Sequence, residues 1–282
     1  MNNETFTTNK DIKDTKIALL SDIHYYDNFN IKVFNKIIKQ IQDNKPDYIC
    51  IMGDILDSSA VKDLTPLKDF LTTLSNISPI MVVLGNHDEK EGKMGDWHHE
   101  SNKPLRDFLN STKNIYLLDD SKYIDNNICF YGYNLSYDYY EGTNEDYNIF
   151  KEETDKLKEK LDSNNYIITL IHTPINIFKY LKENNTELNK TDLILAGHMH
   201  NGALPFTITN IFNKLFKTSR SIMSPRKTFF PKYSQGRIYN DIKDAYIYEG
   251  LTKLAKSTGI FHFFNFIYSK NIKIITIKKS SK

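Results

Sequence analysis

In the stretch LILAGHMHNG, residues 193–202, an apolar run stops at a glycine and His198 and His200 follow two positions apart. Side chains at i and i+2 of an extended segment point the same way. Two neighbouring imidazoles repel when both are protonated, and a metal ion is the partner that keeps them neutral. Taken alone, the pair could equally be two histidines of a surface loop. Four other apolar runs end in the same manner. KIALL leads into SDIH, with Asp22 and His24; DYICIM into GDILD, with Asp54 and Asp57. PIMVVL leads into GNHDE, with Asn86, His87 and Asp88, and NYIITLI into IHTP, with His172. Mixed oxygen and nitrogen donors of this kind suit a divalent transition metal, or two of them. The thiolates of a structural zinc site are missing.

The elements that must position these groups are short and β-branched. Runs at 16–20, 47–52, 79–84, 165–171 and 192–197 are apolar throughout, as strands buried on both faces are. Helical periodicity separates the first three: Val33, Ile37, Ile38 and Ile41 share a face over 31–41, as do Leu64, Leu67, Phe70, Leu71 and Leu74 over 61–74. A third, charge-laced helix over 149–161 carries Leu157 and Leu161, and further strands are expected at 128–133, 244–249 and 271–277. The pattern implies an α/β or α+β layered fold, sheets inside and helices outside. No repeat or linker divides it, so residues 1–282 are expected to form one domain. The donors fall at the C-terminal ends of the strands, where such sheets hold ligands.

The ordered series D-x-H, G-D-x-x-D, G-N-H-D, H and G-H-x-H resembles the signature of the calcineurin-like metallophosphoesterases, and it spans residues 20 to 200. The resemblance implies a four-layer α/β/β/α fold: a β-sandwich flanked by helices, with a dinuclear metal site at the strand ends. It implies two divalent cations, Mn²⁺ foremost with iron and zinc as alternatives. Asp22, His24 and His200 would hold one and Asn86, His172 and His198 the other, with Asp54 bridging. His87 would protonate the leaving oxygen and Asp88 would orient it, while Asp57 would sit behind a ligand and hold it in place. The implied activity is hydrolysis of a phosphoester, as a phosphodiesterase or phosphatase. A metal-dependent nuclease, or a non-catalytic scaffold of the same fold, is the alternative.

Within that superfamily the chain is similar to a bacterial membrane-associated branch that includes phosphodiesterases related to the UDP-diacylglucosamine hydrolases. GHMHNGALP parallels that branch's G-H-T-H-G-G-Q-x-x-x-P, and GLTKLAKSTG comes later. Asn201, Gly202 and Ala203 stand where the branch has Gly-Gly-Gln.

Composition bounds the reading without choosing a substrate. Lys and Arg number 37 against 35 acidic residues, so net charge names no partner. Cys50 and Cys129 lie in apolar runs, as reduced, buried strand residues do. The polar N-terminus has no apolar h-region, so no signal peptide is expected, and no window is apolar enough to span a membrane; the aromatic run at 259–268 is too short. A cytoplasmic protein is expected. His98 and His99 in GDWHHE read as a solvated loop or as cleft lining, and His262 as a core or surface-patch residue.

Residues 201–240 contain no acid and seven basic residues: Lys214, Lys217, Arg220, Arg226, Lys227, Lys232 and Arg237. Ile208, Ile211, Phe212, Leu215 and Phe216 mark one helical face within them. This pattern predicts a basic amphipathic insertion at about 204–237, with 206–232 facing either an anionic inner membrane surface or the protein's own core. Nucleic acid is the less favoured partner of the same charges.

Overall fold

Alternation along the apolar runs divides their side chains between three cores. The computed structural model describes residues 4–57, 61–88, 102–136, 139–140, 146–199, 233, 235–238, 241–251 and 271–280. One six-stranded sheet has the order β1 (Glu4–Thr8), β12 (Lys273–Lys279), β2 (Thr15–Leu20), β3 (Tyr48–Met52), β4 (Ile80–Val83), β5 (Ile115–Leu117). The other runs β10 (Gly236–Ile238), β11 (Asp244–Ile247), β9 (Leu193–Ala196), β8 (Tyr166–Ile171), β7 (Ile128–Tyr133), β6 (Lys122–Asp125).

Between the sheets, Ile17, Leu19, Cys50, Met52, Met81 and Val83 meet Phe130, Ile168, Leu170, Leu193 and Leu195. The intervening residues Ala18, Leu20, Ile49, Ile51, Ile80 and Val82 face outward, beneath α1 (Lys32–Asn44), α2 (Thr65–Ser75) and α3 (Lys103–Ser111). On the far side, Tyr131, Ile167, Ile171, Ile194 and Ala196 lie under α4 (Tyr147–Asp155) and α5 (Ile177–Glu183). The result is the expected four-layer sandwich. Strands β2 to β5 pair in parallel, as do β7, β8, β9 and β11, so their C-terminal ends align within each sheet.

The expected strands and the first two helices occur within a few residues of their expected limits. The third helix does not reach 161. It ends at Asp155, because the Lys156 and Leu157 amides turn back to the Glu153 and Thr154 carbonyls at 3.1 and 3.2 Å. Leu161 is buried all the same, from a loop. The polar N-terminus holds an element with no signal in the sequence. Its strand β1 pairs in parallel with β12 and sends Phe6, fully buried, into the inter-sheet core. Cys50 and Cys129 are buried free thiols.

Among the described residues no helix is long and apolar enough to cross a membrane. His98, His99, His200, His262 and the segment 206–232 lie outside the described residues. The C-terminal limit of the basic insertion needs correcting, because Gly236–Ile238 is strand β10. Its Arg237 guanidinium lies 4.6 Å from the centre of the Phe6 ring and pairs with Asp244 at 2.8 Å. That cation belongs to the sandwich.

Candidate metal centre

Beyond β2 and β3 the two chains stay zipped. The amides of Asp22, His24 and Tyr25 donate to the carbonyls of Gly53, Asp54 and Ile55 at 2.9, 3.0 and 2.9 Å. Along this zipper the backbone is not extended. Asp22, His24 and Asp54 have φ of 51°, 46° and 51°, and His198 across the site has 68°. The convergence expected from strand pleating is therefore achieved by left-handed turns, each costing of order 1–3 kcal/mol.

These turns aim carboxylates and imidazoles at one point. Asp54 Oδ2 lies 3.5 Å from His24 Nε2 and 3.2 Å from His172 Nε2. His198 Nδ1 is 3.0 Å from His172 Nε2. Asp22 Oδ1 is 3.9 Å from His24 Nε2, while Asp22 Oδ2 accepts the His198 amide at 3.1 Å and contacts the Ser21 hydroxyl. Two clusters result, Asp22–His24–Asp54 and Asp54–His172–His198, each with donor atoms within 4.8 Å of one another. Asp54 belongs to both. In a third cluster Asp57 Oδ1 stands 3.7 Å behind His24 Nδ1, close to His87.

The charges explain one another. Burial opposes ionisation of Asp54, but the imidazoles of His172, His87 and His24 hold its carboxyl well below the usual range. Burial also disfavours the His172 imidazolium; the charge and contact of Asp54, Asp22 and the Met52 carbonyl outweigh it, and its pKa rises to about 9. His172 Nδ1 lies 2.7 Å from the Met52 carbonyl and must donate there. Its Nε2 then faces an anionic oxygen and the Nδ1 of His198, with at most one proton to share between them.

With the Nε2 proton gone, the lone pairs of Asp54, His172 and His198 crowd together, and that is where a cation fits. A second observation agrees: Asn86 Oδ1 is buried and has no hydrogen-bond partner among the described residues. An amide oxygen left so costs about 1–3 kcal/mol unless something accepts its lone pairs. The oxygen and nitrogen donors fit a divalent transition metal.

Asp22, His24, Asp54, His172 and His198 are thus brought together, with His87 beside them: its amide donates to Asp54 Oδ1 at 2.9 Å, and its ring meets that of His24 edge-on at 4.6 Å. Asp88 is placed differently from its expected role as orienter of His87. Its carboxylate accepts the amides of Leu56 and Gly85 at 2.8 and 2.9 Å, and burial together with the charge of Asp54 pushes it up to about 7. The group at His87 Nδ1 is the Asp57 carbonyl, 2.6 Å away.

Several supporting residues carry no signal in the sequence. Asn134 Oδ1 accepts the Leu84 amide at 3.2 Å, and Asn102, just before α3, donates its side-chain amide to the Asp88 carbonyl. Tyr140 stands 5.9 Å from the His198 ring and 6.2 Å from that of His172. None of the three adjoins a motif; only Ser21, next to Asp22, had a local signal.

Residues 15–202 match the family model of the calcineurin-like phosphoesterases. The chain belongs to that family. It is 29% identical over 202 residues to an uncharacterised metallophosphoesterase of Helicobacter pylori, covering 70% of this chain and 47% of that one. A second, from Aquifex aeolicus, is 28% identical over 220 residues, covering 77% and 76%. A third, from Campylobacter jejuni, is 27% identical over 199 residues, covering 69% and 46%. Against two of these three, the chain spans about half the relative's length.

Gly85 shows how tightly the centre is built: a Cβ there would press on Asp54 Oδ1 and lie 2.8 Å from His172 Nε2. Gly85→Ala should weaken metal binding about 10–100-fold, as loss of support for a ligand does, while leaving the chain folded. Metal titration alongside circular dichroism checks both, and wild-type affinity in the variant would mean that Asp54 does not touch the metals.

Proposed function

We propose that the chain, acting as one unit over 1–282, hydrolyses phosphoesters with two divalent cations held by its strand ends. Asp22, His24 and His200 would hold one, Asn86, His172 and His198 the other, and Asp54 both. The observation that carries this reading is Asp54 Oδ2, set between His24 Nε2 and His172 Nε2 at 3.5 and 3.2 Å. A carboxylate can share its lone pairs between two cations; an amide cannot do so as well. Bound there, the cations would supply charge to neutralise phosphoryl oxygens and would lower the pKa of water.

The remaining work falls to the protein's own groups. His87 holds its Nδ1 proton on the Asp57 carbonyl, which fixes the ring and leaves Nε2 for the substrate. As an imidazolium it carries a second proton there, to give to the departing alkoxide. Asp57 and Asp88 act as positioning residues, Asp57 on His24 and His87, and Asp88 on the backbone at Leu56 and Gly85.

For the substrate we favour an amphiphilic, lipid-linked phosphoester, met at the inner face of the membrane by a cytoplasmic protein. Support comes from the acid-free, basic segment after His200 and from the likeness to the membrane-associated branch. Each basic residue near an anionic surface contributes about 1 kcal/mol.

Three measurements test this. Purified protein should bind about two divalent ions per chain, be activated best by Mn²⁺, and lose hydrolysis of bis-p-nitrophenyl phosphate to a chelator. Asp54→Asn should lose activity and at least one ion. Full activity under strong chelation would falsify the metal-dependent reading.

His87→Asn should keep its metals and lose about 10²–10⁴ in turnover on esters with poor leaving groups, but much less on p-nitrophenyl esters, whose leaving group departs unprotonated. Equal losses on both would remove His87 as the acid.

Wild type should sediment with anionic liposomes in a salt-sensitive way. A Phe212→Ser/Phe216→Ser/Lys214→Glu/Lys217→Glu variant should stay in solution yet hydrolyse a small soluble ester. Wild type that ignores liposomes but binds single-stranded DNA would turn the reading toward a nuclease; unfolding of the variant would make the helix part of the core.

A further inference from the structure

We infer that Tyr140 forms the wall against which the non-leaving substituent of a phosphodiester rests, so that the enzyme selects diesters carrying a flat or apolar second group. The inference rests on the hydrolase reading above and adds the substrate class.

Tyr140 is fixed from behind. Its neighbour Tyr139 is fully buried, edge-on to Phe150 at 5.8 Å, and its hydroxyl accepts from the Asn176 side-chain amide at 3.2 Å and donates to the Ile175 carbonyl at 3.3 Å. Both partners lie in the turn after β8 and His172. The strand that delivers a candidate ligand therefore also anchors the aromatic pair. The Tyr140 ring meets that of Tyr139 edge-on at 5.1 Å and remains half-exposed. It is tilted 51° against His198 and 59° against His172.

The two sides of Asp54 are chemically unlike. On one side stand His24 and His87, ring centres 4.6 Å apart, with the nitrogen that protonates a leaving oxygen. On the other stand His172, His198 and the phenol ring of Tyr140. With the leaving group toward His87, in-line displacement puts the attacking oxygen opposite it and the substituent that stays at the side of phosphorus, where the Tyr140 ring beside His172 and His198 is placed to meet it. A monoester would present only a charged oxygen there, which the negative face of the Tyr140 ring does not favour. A diester presents an organic group, which an aromatic ring holds by offset or edge-to-face contact. The bland alternative is that Tyr140 only screens the two imidazoles from water.

The experiment compares phenyl p-nitrophenyl phosphate with methyl p-nitrophenyl phosphate, which share a leaving group and differ in the group that stays. The readout is the ratio of kcat/KM values, with metal content measured on each protein. Tyr140→Ala should lower the phenyl-to-methyl ratio about five- to tenfold, the worth of one aromatic contact. Tyr140→Phe should keep the wild-type ratio. An unchanged ratio in Tyr140→Ala, or an equal fall on both esters with loss of metal, would assign Tyr140 to screening and overturn the inference alone. Wild type that binds its metals and cleaves neither ester would overturn this inference; if it also leaves the monoester p-nitrophenyl phosphate intact, the hydrolase reading falls with it.

Discussion

A single buried carboxylate organises the site. Asp54 is 1% exposed, and an unpaired charge at that depth costs several kcal/mol. Its compensation comes from three directions: His24 after β2, His172 after β8 in the facing sheet, and the His87 amide after β4. The two sheets must therefore close face to face at this end for the charge to be tolerated. The same demand explains the glycines beneath it. Gly53, at φ +77°, and Gly85 lie where a Cβ would take the space of His172 or of Asp54 itself. A cation there would complete the compensation, with the imidazoles free to be neutral.

Such an arrangement stores strain, and the surroundings hold it. Four candidate ligands adopt left-handed backbone, which only a tightly bonded loop maintains. The cross-loop amides of Asp22, His24 and Tyr25 supply that bonding, and Asp88 adds to it by accepting amides from both the Leu56 and the Gly85 loops. Asp88 thus ties the ends of β3 and β4 together. Pre-organisation is the physical return, because donors fixed before the metal arrives lose little freedom on binding it.

How much of this is legible in the sequence depends on which forces leave a pattern. Buried parallel strands announce themselves as unbroken apolar runs, and each of the five that carry motifs lies where its run is. Helices α1 and α2 show the same clarity, since one face of each is core. Strand β1, with a single buried aromatic in ETFTT, and the three-residue β5 are too short for periodicity to register. Helix α4 is shorter than its periodicity because Leu157 and Leu161 keep helical spacing while the backbone has already turned. At the site, residue types and order identify the donors, but not the turns that aim them or the partner of His87. A backbone carbonyl such as that of Asp57 carries no signature in residue type.

The layering also separates the fixed parts of the molecule from those that can vary. The candidate metal donors come from strand ends, held by two sheets and three cores. The chain leaves those ends through long connections, between β4 and α3 and between β9 and β10, whereas β6 and β7 are joined by two residues, Asn126 and Asn127. Connections between strands in general tolerate change in length and sequence far better than the strands themselves. A site of this kind can therefore keep its strand ends while the sequence that follows Asp88 and His200 changes. Most of the acid-free run of 201–240 lies in the connection before β10, and under the proposed function its basic residues would draw anions toward those strand ends. Tyr140 differs in kind, because it is anchored through Tyr139 to the turn behind His172, and its selectivity would be as rigid as the metal site.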